Sequence, residues 1–347
     1  MKRISGRRVI KTGVAVLITA WLCELLNWPA VFAVITAIVT IEPTVSDSVK
    51  KGIVRFPASA IGSAYAVTFI SLFGNSPITY TLAAVLTIFT CYKLKLHDGL
   101  LVATLTAVAM IEVIHDHFFI AFLIRLGTTT IGLVVSTFVN MFVLPPNYKD
   151  QITHNIEKIS HLTAHMLKKI YTEILEDKLN HDYLSIELTK LKNMISTTSK
   201  LIQFQKGEYK YRPYISSQTA FFERMKQQAE LLEKMYEKMK FLVDYPLETV
   251  NWNEKKKEII RQAVDELYES LLDDQNFHII KHLNNKRKII KVFWKDTDIL
   301  NKIENEATSL PTETILLYEL LAFYDMVEQY NCSYENINLL RQKDTII

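Results

Sequence analysis

Three cysteines in 347 residues, Cys23, Cys91 and Cys332, are too few and too scattered to build a disulfide framework. Nor is there a pair of cysteines at zinc-ligand spacing. No G-x-x-x-x-G-K-S/T phosphate loop occurs, which excludes an ATP-driven pump built on that motif. A nucleophile elbow and a dinucleotide-type glycine pattern are missing as well. Nothing in the chain supports enzymatic chemistry, and no cofactor, metal or nucleic acid partner is expected.

What is present falls into two unlike halves. Residues 1–150 contain 12 Lys/Arg and 7 Asp/Glu, whereas residues 151–347 contain 28 and 30. A charge density that doubles at one point argues for two domains in different solvents. The break falls at "LPPNYKD", where Pro145 and Pro146 end a long apolar segment. The expected organisation is all-α: a membrane domain over 1–146, then a cytoplasmic helical domain over 147–347.

Apolar runs lie near 12–27, 30–41, 53–73, 78–92, 99–113 and 118–144. Spanning the hydrocarbon layer takes roughly 20 residues, so the second and fifth runs are short. They are either half-helices or segments buried by neighbours. The start, "MKRISGRRVIKTGVAV", has the basic-then-apolar order of a secretory signal. Glu24 interrupts it, no small-x-small cleavage site follows and five more apolar runs come after, so it reads as an uncleaved first helix. With six spans and the N-terminus inside, Lys2, Arg3, Arg7, Arg8, Lys11, Lys50, Lys51, Arg55, Lys93, Lys95 and Lys149 fall on the inner side. The outer loops near 28, 74–77 and 114–117 hold no Lys or Arg, so both termini are expected in the cytoplasm.

The membrane half repeats itself. At an offset of 70 residues, Ala33, Thr36, Ala37, Ile41 and Glu42 fall on Ala103, Thr106, Ala107, Ile111 and Glu112. Arg55, Ile61 and Gly62 fall on Arg125, Ile131 and Gly132 without a gap. Apolar identities arise by chance in such sequence, but two charged residues and a glycine at one offset do not arise easily. The expected repeats are about 11–73 and 77–144. A unit of three spans turns over in the membrane, so its two copies would be inverted, as in many secondary transporters. The short pair, "VFAVITAIVTIE" and "LVATLTAVAMIE", occupies equivalent positions, which points to a binding site near the midplane.

Ionisable residues inside a span cost about 2.5–3.5 kcal/mol on insertion scales and are rarely idle. Arg55 and Arg125 are therefore the candidate contacts for an anion, because guanidinium grips carboxylate with two parallel hydrogen bonds. Gly62 and Gly132 lie seven residues further along each helix and leave that face bare. Thr36 and Thr106 complete the candidate binding set. Each has a plainer reading: Arg55 as a helix anchor, Arg125 snorkelling or paired, the glycines as close-packing points and the threonines as backbone-bonded. Glu42 and Glu112 are read as ion-pair partners of the arginines, solvated helix ends or proton carriers.

Beyond 148 the pattern is amphipathic and helical, as in "QAELLEKMYEKMKFLVDY" and "ETILLYELLAFYDMVEQY". His154, His161 and His165 share a face, but solvated or packed histidines explain them better than a metal site. His115-Asp116-His117 is a weaker pointer to metal or pH sensing. "KKK" at 255–257 and "NKRK" at 285–288 read as solvated faces.

The motifs "RRVIKTGVAV", "TAIVTIEPT" and "KGIVRFPASAIG", with a closing "PP" before a helical half, resemble the small Gram-positive-type members of the aromatic acid exporter family. These are related to the fusaric acid resistance proteins and, more distantly, to plant aluminium-activated malate transporters. The resemblance implies a multi-pass protein of the bacterial cell membrane that carries organic anions, passively or coupled to protons. Larger relatives hold two such membrane halves in one chain, so a chain with one implies a homodimer. The competing expectation is a membrane scaffold whose helical half binds a partner protein.

Overall fold

A computed structural model describes residues 2–113, 118–211, 219–245, 250, 252–273, 277–300 and 311–332. Among them are twelve α-helices, one short 3-10 turn and no strand. The helices are α1 (Lys2–Leu25), α2 (Ala30–Thr40), α3 (Val45–Phe73), α4 (Pro77–Lys93), α5 (Leu100–Val113) and α6 (Phe118–Phe142), then α7 (Lys149–Leu175), α8 (His181–Tyr211), α9 (Thr219–Asp244), α10 (Glu254–Leu272), α11 (Ile279–Leu300) and α12 (Thr312–Asn331).

The chain divides into two compact units after Asn147. The division is not a single cut, because Phe204–Tyr214, which includes the end of α8, belongs to the first unit. A boundary drawn at the prolines alone misses this return.

In the first unit, α3 and α6 are long and apolar enough to cross a membrane, and α2 is a shorter apolar helix. Their lengths are 29, 25 and 11 residues, and α5 has 14. At about 1.5 Å per residue, α2 and α5 fall well short of an ~30 Å hydrocarbon layer. Among the described residues, the expectation of six spans therefore reduces to two full-length apolar helices by this measure. The shortness of α2 has a local cause: Pro43 disfavours helical geometry at Glu42, and Ile41 is already extended. Thr44 then starts α3 by accepting the Asp47 N–H at 2.9 Å. Gly74, at φ +60, closes α3 by donating its N–H to the Ile70 carbonyl.

The packing in this unit inverts that of a water-soluble bundle. Small and hydroxylated residues line the helix contacts at its centre: Ala33, Thr36, Ser59, Ser63, Ala103 and Thr129 are buried. Its outer faces carry large apolar side chains, including Trp21, Ile53, Phe89, Leu101, Val134 and Phe138. Helices in lipid associate through small residues and hydroxyl hydrogen bonds, while their large apolar side chains meet acyl chains.

The second unit is also helical. Here α7 packs on α9 and α10, and α12 packs on α9, α10 and α11. Its buried residues are large, with Leu167, Tyr171, Leu232, Met239 and Phe323 among them. The helices are amphipathic in the ordinary sense, with charges such as Lys168–Asp265 and Lys190–Glu187 on their outer faces.

Candidate functional site

Close approach of helices sets the geometry of the first unit. A side chain at Gly62 would overlap the Ala103 carbonyl, and one at Gly132 would overlap the Ala33 carbonyl. The two contacts are related by the 70-residue offset: 62 and 132 exchange, and so do 33 and 103. Ser59 and Thr129, another pair at that offset, meet each other at 3.2 Å. Ser59 also lies 3.4 Å from Thr106. Thus α3 seats against α5 and α6 against α2, while α3 and α6 touch through hydroxyls.

The two arginines occupy different environments. Arg55 is 6% exposed and satisfied. Its Nη2 donates to Glu42 Oε1 at 2.8 Å, Nη1 to the Val39 carbonyl at 3.2 Å and Nε to the Asp98 carbonyl at 3.3 Å. Val39 lies in the last turn of α2, whose carbonyls have no partner within the helix, so Arg55 closes that end. Glu42 also meets Lys51 at 3.1 Å through its other oxygen. The carboxylate that ends the apolar run is therefore an ion-pair partner of two cations, not a helix cap.

Arg125 is 4% exposed and mostly unsatisfied. Its Nη2 donates to Thr106 Oγ1, and its guanidinium carbon sits 4.3 Å from the centre of the Phe32 ring. Nε and Nη1 are buried without a hydrogen-bond partner. Among the described residues no carboxylate pairs with it, since Glu112, the counterpart of Glu42, accepts instead from the Tyr80 hydroxyl. An isolated cation stripped of water is costly, and Nε and Nη1, which carry three of the five guanidinium N–H donors, have nothing to bind.

The remaining expected residues separate in the same way. Thr106 is part of the Arg125 environment, whereas Thr36 donates to the Phe32 carbonyl of its own helix at 2.8 Å. Gly62 and Gly132 are contact points between helices, so neither leaves an open face. His161 bonds the Leu272 carbonyl at 2.9 Å, and His165 stacks edge-on against Tyr268. Among the described residues no cluster of His, Cys, Asp and Glu fit to hold a metal exists. His115-Asp116-His117 lies outside the described residues. In "NKRK", Lys286 is not simply solvated: it bridges to Asp325 at 2.6 Å and Glu328 at 2.9 Å.

Several contributors escaped the sequence reading. Phe32 gave no signal, because Val102 stands at its counterpart. Ser59 and Thr129 do carry one, a hydroxyl on a hydroxyl at the repeat offset, missed because only identities were matched. Lys11 is buried and donates to the Asn140 side chain at 2.7 Å. Asn140 in turn holds the turn between α2 and α3 through the Glu42 and Thr44 carbonyls, each at 3.1 Å, and Ser48 at 2.9 Å. In the same unit, the Val45 N–H at the start of α3 donates to Glu208 of α8 at 2.6 Å.

Residues 3–143 match the family model described as aromatic acid exporter family member 1. A UPF0421 protein of Oceanobacillus iheyensis is 43% identical over 346 residues, covering 97% of this chain and 99% of its own. One from Bacillus thuringiensis subsp. konkukian is 40% identical, covering 99% and 97%. A third, from Staphylococcus haemolyticus, is 44% identical over 211 residues, 60% of this chain and 64% of its own.

Proposed function

The chain belongs to the aromatic acid exporter family, and from that premise we propose that it moves organic anions, aromatic carboxylates foremost, across the bacterial cell membrane. The observation that carries this reading is Arg125: a buried guanidinium with unfilled donors, in a unit whose outer faces are apolar. An entering carboxylate supplies the charge and the acceptors that Arg125 lacks. Phe32, already against the guanidinium, offers a ring for a planar aromatic cargo to pack beside. Thr106 holds one guanidinium nitrogen, Nη2, through its hydroxyl.

In this reading Arg55 is structural, because its donors are committed to Glu42 and two carbonyls. The inverted arrangement of the two repeats is supported by the paired glycine contacts and by the Ser59–Thr129 contact at the 70-residue offset. The working unit in this reading is a homodimer, its termini cytoplasmic and its transport passive or proton-coupled. The test is benzoate flux into liposomes containing the full chain or its Arg125→Gln variant. Loss of flux in a variant that still folds is expected, and unchanged flux would remove Arg125 from the site.

A further inference from the structure

The repeat places a carboxylate 13 residues before each arginine, Glu42 before Arg55 and Glu112 before Arg125. In the first half that pair is closed at 2.8 Å. In the second it is open: Glu112 is held by Tyr80, and Arg125 has no carboxylate among the described residues. Two related segments have therefore taken up two different arrangements of the same parts. Tyr80 and Phe32 border one apolar cluster with Met110 and Ile111, so the Glu112 hydroxyl contact and the Arg125 ring contact adjoin the same packing.

We propose that Glu112 is the internal counter-ion of Arg125, and that the pairs Glu42–Arg55 and Glu112–Arg125 close alternately during transport. In the arrangement seen here, Arg125 is free for cargo. In the exchanged arrangement, Glu112 leaves Tyr80 for Arg125 and displaces the anion, while Arg55 gives up Glu42. Each carboxylate thus does for its arginine what cargo does, so in an empty carrier one of the two buried guanidiniums is paired in either arrangement and the other is left for an anion. Glu112 is a positioning residue in this scheme and competes with cargo for a single guanidinium. The inference rests on Arg125 as the anion contact.

Three variants of the full-length protein test it through two readouts. The first is the apparent Kd for benzoate, measured by ligand-induced thermal stabilisation. The second needs no ligand: phenylglyoxal labelling of Arg125, read by peptide mass spectrometry. E112Q removes the competitor, so benzoate should bind about two- to tenfold tighter, Arg125 labelling should rise and flux should fall. Y80F frees Glu112 while leaving every buried pair intact, so binding should weaken and labelling should drop. E42Q should act in the same direction as Y80F. If benzoate binds but neither E112Q nor Y80F moves affinity or labelling, the alternation is overturned and Arg125 stays the anion contact. If no benzoate binds yet labelling shifts in the expected directions, the alternation stands and the cargo reading falls.

Discussion

At the scale of single residues, burial of a cation does not by itself identify a binding site; the state of its hydrogen-bond donors does. Arg55 and Arg125 are buried almost equally, yet their removal should have opposite consequences. Arg55→Gln leaves Glu42 to Lys51 alone and takes the donor from the Val39 and Asp98 carbonyls, so it should lower stability by about 1–3 kcal/mol, the usual cost of buried acceptors left without a partner. Arg125→Gln removes an unmatched charge and should leave the thermal midpoint of the ligand-free protein unchanged or higher. Thermal unfolding of both variants in detergent checks the contrast. In the second unit, buried His282 bonds Glu266 at 3.0 Å and the Tyr324 carbonyl at 3.1 Å. Burial alone would raise the Glu266 carboxyl, but its bonds to His282, Tyr324 and Ser270 hold it below its ordinary value. A depressed carboxyl stabilises above its unfolded value, about 4.3, and that contribution is lost as pH falls through the folded one. Melting curves between about pH 7 and pH 3 should show a decline in acid that Glu266→Gln flattens.

At the scale of elements, the chemistry is read from pairs of helices. Gly62 and Gly132 each sit on a backbone carbonyl, so either Gly→Ala change should force the helices apart at a cost of about 1–3 kcal/mol. Since the two contacts are related by the repeat, both variants should be destabilised, a comparison that thermal unfolding makes directly. Much of this was legible beforehand. The offset match picked out both glycines, both arginines and both carboxylates, and Pro145 and Pro146 marked the end of the apolar half. The roles were not legible, because identical residues at matched positions took different partners. No spacing rule says that Glu42 turns to an arginine while Glu112 turns to a tyrosine. Thr36 and Thr106 likewise share a position in the repeat, but one is spent on its own helix and the other on Arg125. The sequence allows the glycines to be an open face along a path or close-packing points, and the carbonyls lying against both decide for packing.

At the scale of the whole molecule, the family match ends at residue 143, whereas the relative from Oceanobacillus iheyensis aligns across 97% of the chain. The remainder is therefore shared at full length, and the return of α8 to the first unit gives one structural reason to retain it. Glu208 meets the Val45 N–H at the start of α3, so Glu208→Ala should destabilise that helix start by about 0.5–2 kcal/mol. Hydrogen exchange at residues 45–48 of the full-length variant should report it as faster exchange. The same contact governs how the gene can be divided. A cassette cut once, after residue 147, leaves behind the segment that finishes the unit it was meant to contain. Chimaeras between relatives should therefore be joined at three places, after residues 147, 203 and 214, so that residues 204–214 travel with the first 147, or the transplanted piece will lack part of its own framework.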